Sequence, residues 1–437
     1  MSQTDHPPFT FVGTSDFAGL LRGKAVPASD FARRCVGGIG WTPTNIQITC
    51  FDTIAETPYG SFGDIVLRGD PATRALCRLP DGETLDMALG DISDLDGVPW
   101  ECCARSMLRT AATRLLAETG MEVRASFEHE FMFLAPGGTR AFSLAGFAER
   151  LGFMRALMTA LDGTGINPDS FLREYGPGQM EVTIPPASAL TAADQAVILR
   201  EVTRAVGRAM GLPLTFSPLV APDIVGNGVH VHMSLWDAEG RPVTHAPDGQ
   251  HGLTPTAGSF IAGILSHMGA LTAITAPSAI SAARLTPHRW SAAYNNLAVQ
   301  DREAAIRICP LMATEPQARA RQFNFEYRAA DAAASPHLAL AALIEAGLTG
   351  IRAGLPIPQA TSEDLSLLSP AVLAARGLQR LPESQAAALA ALEADTALRA
   401  AFPPRAIDIY LAHKRAEATH AAAMTGDARF SAYAGIY

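Results

Sequence analysis

Two histidines stand two residues apart in the segment GNGVHVHMSLW, which covers residues 226–236. The apolar residues around them alternate, a pattern typical of a β-strand whose successive side chains point to opposite faces. His230 and His232 should therefore project from the same face of this strand. The spacing is a weak signal by itself, because a half-buried strand can also carry histidines on its polar face.

Glutamates lie on three other predicted strands. In VRASFEHEF, Glu128 and Glu130 share one strand face, where two carboxylates repel each other unless a cation lies between them; a solvated face is the alternative. Glu174 and Glu181 flank a glycine-containing turn, and Glu326 lies between two aromatic residues, where a bare charge is costly to bury. Five carboxylates and one imidazole favour Mg²⁺ or Mn²⁺ over zinc.

Arginines accompany these carboxylates along the sequence. Four of them lie beside small or apolar residues, namely Arg284, Arg302, Arg307 and Arg328. Guanidinium groups bind carboxylates or phosphates through paired hydrogen bonds. Glutamates for a metal ion together with arginines for phosphate indicate phosphoryl transfer from a metal–nucleotide complex, in which positioning and charge neutralisation provide the catalysis.

The elements that position these residues fall into two predicted domains. Short alternating segments, among them NIQITCF at 45–51, predict a β-rich domain over residues 26–105, preceded by an arm at residues 1–25. A larger domain follows at 106–437. Several of its strand connections are too short for crossover helices, so the sequence predicts an α+β fold with an antiparallel sheet. Helices are predicted at 99–120, at 190–211 with Thr191 as N-cap, and at 258–275.

The composition limits the classes of partner. The chain has 437 residues and a formal charge of −9, which disfavours nucleic acid or an anionic membrane as the main partner. Its six cysteines form no C-x-x-C pair, so we expect reduced thiols rather than disulfides or a zinc site. The N-terminal residues lack a secretory pattern, and no uncharged apolar run reaches ~18 residues. We therefore expect a cytoplasmic protein without membrane spans.

Six segments together resemble one known family. In chain order they are EHEF, EYGPGQMEV, GNGVHVHMSL, RLTPHRW, REAAIRI and FEYRAADAAASPHLALAALIEAGLTGI. Their order and spacing over residues 45–437 resemble the glutamine synthetase family, and most of all its γ-glutamyl-amine and γ-glutamylpolyamine synthetases. The resemblance implies an N-terminal β-grasp domain and a catalytic domain whose antiparallel strands form a half-barrel. It also implies a homo-oligomer, expected to be a dodecamer of two hexameric rings, with active sites between neighbouring subunits.

The resemblance also implies roles for individual residues. The first of two Mg²⁺ or Mn²⁺ sites matches Glu130, Glu174 and Glu181. The second site matches Glu128, His230 and Glu326. The residues that match the ATP-binding positions are His232, Ser234, Arg302 and Arg307. Those that match glutamate-binding positions are Arg284, Arg328, Gly226 and Asn227.

The sequence departs from the family pattern at the flap, whose glutamate closes the site and helps to take a proton from ammonium. Counting from Arg284, that position holds Trp290. An ammonium pocket needs negative charge, whereas a pocket for an alkyl or aryl amine needs apolar surface. The asparagine that helps to hold glutamate aligns with Val225, although Asn227 could substitute for it. Asp52 resembles the catalytic aspartate that reaches the neighbouring subunit's site.

These observations favour an ATP-dependent ligase that forms a γ-glutamyl amide from glutamate and an organic amine through γ-glutamyl phosphate. Asp52, Trp290 and Arg302 are its candidate catalytic residues. A glutamine synthetase that uses ammonium and a non-catalytic sensor on the same fold are the alternatives. If Trp290 lines the pocket rather than packing elsewhere, a primary amine with an apolar or aromatic body should bind best. A polyamine should bind less well unless another carboxylate reaches its distal cation.

Overall fold

The computed structural model describes residues 7–138 and 140–437. A six-stranded sheet forms the N-terminal part of the chain, in the order β2-β1-β6-β4-β3, with β5 pairing with β6. Strands β1 and β6 pair in parallel at its centre, and the other pairs are antiparallel. The strands are β1 (Phe9–Ser15), β2 (Leu21–Pro27), β3 (Ile39–Trp41), β4 (Ile65–Gly69), β5 (Ala75–Arg78) and β6 (Thr84–Ser93).

The hairpin of β1 and β2 corrects the predicted arm at residues 1–25. From Phe9 onward these residues belong to the sheet, and residues 1–6 lie outside the described part of the chain. Glycines weaken a strand pattern in sequence, yet this hairpin needs one. A Cβ atom at Gly23 would lie 2.0 Å from the carbonyl oxygen of Val12. The predicted strand at 45–51 is also wrong, because Pro43–Gln47 forms a 3₁₀ turn.

A second, ten-stranded sheet forms the centre of the larger domain. Its order is β16-β13-β14-β15-β12-β7-β9-β8, with β10 and β11 also pairing with β7. The pairs from β14 to β8 are antiparallel, as predicted, whereas β13 pairs in parallel with both β14 and β16. The strands are β7 (Met121–Phe133), β8 (Ser170–Arg173), β9 (Gln179–Thr183), β10 (Ala187–Ser188), β11 (Leu214–Thr215), β12 (Val229–Asp237), β13 (Leu297–Val299), β14 (Ile306–Ile308), β15 (Phe325–Tyr327) and β16 (Ala360–Thr361).

Most helices belong to the larger domain, which confirms the α+β class. The helices are α1 (Phe31–Gly37), α2 (Ala104–Thr119), α3 (Leu144–Glu149), α4 (Leu151–Leu161), α5 (Ala189–Ala209), α6 (Pro255–Ser266), α7 (Met268–Thr275), α8 (Ser281–Arg284), α9 (Pro316–Gln322), α10 (Pro336–Arg352), α11 (Pro370–Ala375), α12 (Gln385–Ala394), α13 (Thr396–Arg399), α14 (Pro404–Ala422) and α15 (Gly426–Ile436). Within the described ranges, no single helix has the length and hydropathy of a membrane span; α6 and α7 reach them only as a pair bent by 75°.

Three predicted helices differ from the structure, one of them because of contacts with distant residues. The helix predicted at 258–275 is divided at His267, whose ring nitrogens contact Asp395 at 2.6 Å and Thr349 at 3.0 Å. The helix predicted to be capped by Thr191 begins earlier, at Ala189. The helix predicted from residue 99 begins at residue 104.

One buried arginine joins the two sheets. Arg105 of α2 is 1% exposed and donates to both carboxylate oxygens of Asp194 on α5, at 2.9 and 2.8 Å. Its Nη2 also donates to Asp70, directly after β4, at 2.8 Å, and its Nη1 donates to Asp91 of β6 at 2.9 Å. Asp194 also contacts His337 of α10 at 2.8 Å. The predicted domain boundary therefore lies at a dense polar contact and not at a flexible linker.

Removal of this guanidinium should loosen the attachment of the first sheet. Arg105→Ala leaves three carboxylates without their shared cation, and breaking a buried pair in this way costs about 3–5 kcal/mol. Arg109→Ala, on the same helix, removes one contact between the half-exposed Arg109 and Asp91, and should cost under about 1 kcal/mol. Denaturant unfolding of both variants measures the difference. Equal losses in the two variants would contradict the role of Arg105.

Candidate active site

Strand pairing places the predicted ligands from β9, β7, β12 and β15 side by side. Because the period along a strand is two residues, alternate positions of neighbouring strands share one face of the sheet. The cross-strand partners are Glu181 and Glu130, Glu128 and His230, and His232 and Glu326. The alternating pattern read from the sequence therefore corresponds to one continuous polar row on the sheet.

The two histidines contact the carboxylates of this row. His230 Nδ1 lies 2.6 Å from Glu128 Oε1, and its Nε2 lies 3.9 Å from Glu130 Oε1. His232 Nε2 lies 3.0 Å from Glu326 Oε2 and 3.6 Å from Glu128 Oε2. Both imidazoles thus face the same cluster, with His230 nearer to β9 and His232 nearer to β15.

Hydrogen bonds from outside the row fix the orientation of Glu130. Its Oε2 accepts from the backbone N–H of Gly228 at 2.7 Å and from Gln179 Nε2 at 3.1 Å. Gln179 also donates to the carbonyl oxygen of Gly226 at 3.0 Å. A side chain at Gly226 could not be accommodated, since its Cβ would lie 2.3 Å from the Pro218 carbonyl oxygen. This close packing explains the glycine better than a direct contact with substrate does.

Arginines surround the opposite end of the row. Arg307 Nη1 donates to Glu326 Oε1 at 3.0 Å, and Arg328 Nη1 donates to the same oxygen. Arg328 also donates through Nε to the carbonyl oxygen of Arg302 at 3.0 Å and through Nη2 to that of Trp290 at 3.2 Å. One guanidinium therefore connects a predicted metal ligand, a predicted phosphate-binding segment and the flap (residues 286–291).

A cavity of about 290 Å³ opens over this cluster. The predicted site residues that line it are Glu128, Glu130, Glu174, Glu181, Gly226, His230, Arg284, Trp290, Arg302 and Arg328. Aromatic rings lie at its mouth: Trp290 is 53% exposed, and its ring centroid lies 6.1 Å from Tyr175 and 6.4 Å from Phe142. Carboxylates at one end and exposed aromatic surface at the other give the cavity two chemically distinct halves.

Five predicted site residues lie outside the lining of this cavity. His232, Arg307 and Glu326 form the adjoining ion-pair cluster described above. Ser234 Oγ accepts from Trp236 Nε1 at 2.9 Å. Asn227 is 1% exposed, with its amide held by Gln179 and by the Ser217 carbonyl oxygen, so its side chain is engaged within the protein.

Asp52 is a sixth predicted residue that the structure places away from the cavity of its own chain. Its side chain is 83% exposed, and it pairs with Arg22 at 3.4 Å. Its backbone has a φ of 56°, a conformation that an aspartate adopts more readily than most residues. Within one chain, Asp52 therefore lies in an exposed loop and has no contact with the carboxylate row.

The electrostatics of the row differ between its two ends. Burial, followed by the neighbouring carboxylates of Glu128, Glu130 and Glu174, raises the pKa of Glu181 from 4.5 to about 10. Burial also opposes ionisation of Glu326, yet hydrogen bonding to His232 and the charge of Arg328 hold its pKa far below the ordinary range. The β9 end of the row is thus short of positive charge, whereas the β15 end has its own cations.

The donor set at the β9 end fits a hard divalent cation. Oxygen or nitrogen atoms of Glu128, Glu181 and His230 lie within 4.8 Å of one another, and Glu130 and Glu174 line the same cavity. Carboxylates with a single imidazole suit Mg²⁺ or Mn²⁺, and a cation would offset the repulsion that raises the pKa of Glu181. This group includes Glu181 from the first predicted metal site and Glu128 and His230 from the second.

Several residues of the site were not anticipated from the sequence. Gln179 could have been found, because it alternates with Glu181 on the same strand face. Tyr175 follows a predicted ligand directly, and its exposed ring lines the cavity. Cys309 Sγ lies 3.7 Å from His232 Nδ1, a contact that depends on the pairing of β14 with β15. Glu303 lies within the segment REAAIRI, but its role was not anticipated, since its carboxylate accepts backbone N–H groups of the flap.

Comparisons with known proteins agree with this geometry. The glutamine synthetase catalytic domain matches residues 101–433, and the glutamine synthetase N-terminal domain matches residues 3–100. Gamma-glutamylpolyamine synthetase GlnA3 of Streptomyces coelicolor is 33% identical over 97% of this chain and 92% of its own length. The glutamine synthetase of Methanocaldococcus jannaschii is 30% identical over 85% of this chain and 82% of its own length.

Solved structures give the same result. The crystal structure of a novel glutamine synthase homolog superposes with a TM-score of 0.90 at 40% sequence identity, and the match covers all of both chains. Apo GmaS superposes with a TM-score of 0.79 at 26% identity, over 96% of this chain and 94% of its own. These matches extend over both sheets and over the whole carboxylate row.

Glu181 should make the stability of the metal-free protein depend on pH. Its pKa of about 10 in the folded chain exceeds the ordinary 4.5, so the folded form holds a proton that the unfolded form has released between these values. Stability from this group is therefore lost as the pH rises through that window. Metal-free wild type should lose Tm from pH 6 to pH 9 more steeply than Glu181→Gln.

Differential scanning fluorimetry measures this difference. Roughly 1 kcal/mol moves the Tm of a large domain by about 2–4 °C, so we expect several degrees between the two proteins at the alkaline end. Mn²⁺ should stabilise the wild type more than Glu181→Gln, which has lost a ligand. Glu122→Gln, on the neighbouring strand β7 and outside the row, is the matched control and should follow the wild type. Parallel pH profiles for all three proteins would show that Glu181 carries no excess proton.

Proposed function

Because this chain belongs to the glutamine synthetase family, whose ligases are ATP-dependent enzymes, we propose that it joins glutamate to an organic amine. The observation that carries the proposal is Trp290, which lines the mouth of the cavity where the family pattern has a flap glutamate. An exposed indole favours an amine with an apolar body over ammonium. The similarity to a γ-glutamylpolyamine synthetase supports an organic amine as acceptor.

In the first proposed step, the γ-carboxylate of glutamate attacks the terminal phosphorus of ATP, giving γ-glutamyl phosphate and ADP. Arg302 and Arg307 would bind the phosphates, with His232 and Ser234 toward the nucleotide. Arg284 and Arg328 would hold the carboxylates of glutamate. When bound, Mg²⁺ or Mn²⁺ supplies positive charge that stabilises the transferring phosphoryl group. The proposed ligands are Glu130, Glu174 and Glu181 at the first metal site and Glu128, His230 and Glu326 at the second.

In the second step, the amine nitrogen forms a bond to the activated carbonyl carbon, the carbon–oxygen bond to phosphate breaks, and phosphate leaves. The attacking amine must lose a proton, and Asp52 of a neighbouring subunit is the proposed acceptor. The exposure of Asp52 in a single chain is compatible with this role, since a residue that serves another subunit must project from its own. Trp290 and Tyr175 would contact the body of the amine.

Glutamine formation from ammonium remains the alternative, and the similarity to glutamine synthetases favours it. The carboxylates that line the cavity would attract ammonium even without a carboxylate in the flap. A phosphate-release assay with glutamate and a panel of ammonium, an arylalkylamine, an alkylamine and a polyamine distinguishes the candidates. If kcat/KM is highest with ammonium, the amine proposal is refuted. If glutamate with each of these amines gives no phosphate release, a non-catalytic sensor is favoured.

Substitution of Trp290 should change amine selectivity and leave nucleotide use unaltered. Burial of one side of a small amine against the ring contributes on the order of 1–3 kcal/mol, so Trp290→Ala should lose roughly 10- to 200-fold in kcat/KM for the preferred amine. Trp290→Phe retains an aromatic surface and should keep most of the selectivity. Trp290→Glu should shift preference toward ammonium. Unchanged selectivity in Trp290→Ala would show that the ring does not contact the amine.

The shared site should be testable by subunit mixing. We propose a ring-shaped homo-oligomer, expected to be a dodecamer of two hexameric rings, in which Asp52 and Glu130 of different subunits meet at one site. Asp52→Ala and Glu130→Ala should each be nearly inactive, the first through the lost proton acceptor and the second through the lost metal ligand. Co-assembled rings should regain part of the phosphate release, because some interfaces pair two intact halves. No recovery in verified mixed rings would contradict a shared site.

A further inference from the structure

The flap carries two residues in an unfavourable backbone conformation. His288 has a φ of 62° and Trp290 a φ of 53°, in the left-handed region that bulky side chains rarely adopt. Both residues lie in a loop at the mouth of the cavity, and Trp290 is more than half exposed. Burial of the indole is therefore insufficient to explain this conformation. Such strain persists only where surrounding contacts determine the backbone.

The carboxylate of Glu303 makes such contacts with both strained residues. Glu303 Oε2 accepts the backbone N–H of His288 at 3.1 Å, and Glu303 Oε1 accepts that of Trp290 at 3.2 Å. Each oxygen thus binds one of the two strained residues. Asp301 Oδ1 in turn accepts the backbone N–H of Glu303 at 2.9 Å, which fixes the turn that presents the carboxylate. Hydrogen bonds to an ionised acceptor are stronger than those between neutral groups.

Two arginines also hold the flap. Arg328 Nη2 donates to the Trp290 carbonyl oxygen at 3.2 Å, so both peptide groups of Trp290 are held. The side chain of Arg289, between the two strained residues, donates to the carbonyl oxygens of Pro222 and Ile224 at 2.8 and 3.0 Å. With these bonds in place, the indole lies at the cavity mouth beside Tyr175.

We propose that Glu303 is a positioning residue that holds the flap in the conformation in which Trp290 lines the amine half of the cavity. Glu303 is not among the residues that line this cavity, so it acts through Trp290 and not by contact with substrate. Because it directly follows Arg302, the segment that presents the proposed phosphate-binding arginine also holds the amine flap. The effect of Glu303 on the choice of amine rests on the proposed function. Its effect on the conformation of the flap does not.

Limited trypsin digestion tests the flap directly, since the flap contains a cleavage site after Arg289. Glu303→Ala removes both acceptors, and Glu303→Gln retains one carbonyl oxygen but loses the other acceptor and the charge. Loss of charge-assisted hydrogen bonds should accelerate cleavage between Arg289 and Trp290 by about tenfold or more in Glu303→Ala, with Glu303→Gln intermediate. Glu363→Gln, which removes a surface ion pair with Arg376, is the control and should match the wild type.

Mass spectrometry of the peptide that ends at Arg289 provides the rate. Unchanged cleavage at this bond in Glu303→Ala would overturn the proposal. Equally fast cleavage in Glu363→Gln would also overturn it, because loss of any surface carboxylate would then accelerate cleavage at this bond. Cleavage at other sites of the same digest shows whether the variant has lost its overall fold.

Steady-state kinetics test the consequence for the amine. Glu303→Gln should raise KM for the best amine of the wild-type panel by about tenfold, with KM for ATP and for glutamate within about twofold of wild type. In a Trp290→Ala background the same substitution should have little further effect, because both changes act through one ring. An equal increase for all three substrates, or full additivity of the two substitutions, would refute positioning through Trp290.

The outcomes separate this proposal from the proposed function. If the wild type prefers ammonium, the amine-ligase proposal fails, while faster cleavage in Glu303→Ala still supports the flap contact. If the wild type prefers an organic amine but Glu303→Gln leaves its KM unchanged, the positioning role fails and the ligase proposal stands.

Discussion

Mutual repulsion among partly buried glutamates is the constraint around which the site is built. The carboxylates concerned are Glu128, Glu130, Glu174 and Glu181. At the β15 end of the row, Arg307, Arg328 and His232 surround Glu326 and hold it ionised. At the β9 end the neighbours of Glu181 are other carboxylates, so neutralisation there requires a proton or a cation. The sheet must therefore be rigid enough to hold like charges together in the absence of a metal ion, and a ten-stranded sheet covered by helices provides that rigidity.

Arg328 connects the two halves of the cavity. It contacts Glu326 at the metal end, the backbone of Arg302 at the proposed phosphate end and the backbone of Trp290 in the flap. These three groups therefore share one rigid guanidinium as hydrogen-bond donor. In the proposed two-step ligation, the same side chain would lie between the site where the acyl phosphate forms and the flap that faces the amine.

The sequence predicted the parts of the site that lie on regular strands. Alternation along β7 and β12 placed Glu128, Glu130 and His230 on one face because the strand period relates them directly. Residues that act across the fold gave no such signal. The Glu303 carboxylate accepts backbone N–H groups of the flap, and the break at His267 between α6 and α7 depends on side chains more than eighty positions away. The N-terminal hairpin was missed for a similar reason, since its pairing with β6 is not local.

The two halves of the cavity also differ in how their residues are held. The carboxylates proposed to bind metal lie on paired strands or, for Glu174, directly after one, so a substitution among them changes the charge that faces its neighbours in the row. Trp290 lies in a loop held by a few side-chain contacts, chiefly the two oxygens of Glu303 and one nitrogen of Arg328. A substitution at Trp290 therefore changes the apolar surface at the cavity mouth and leaves the side chains of the carboxylate row in place. Under the proposed function, phosphoryl transfer would depend on the sheet and the choice of amine on a loop, so the second could vary while the first is preserved.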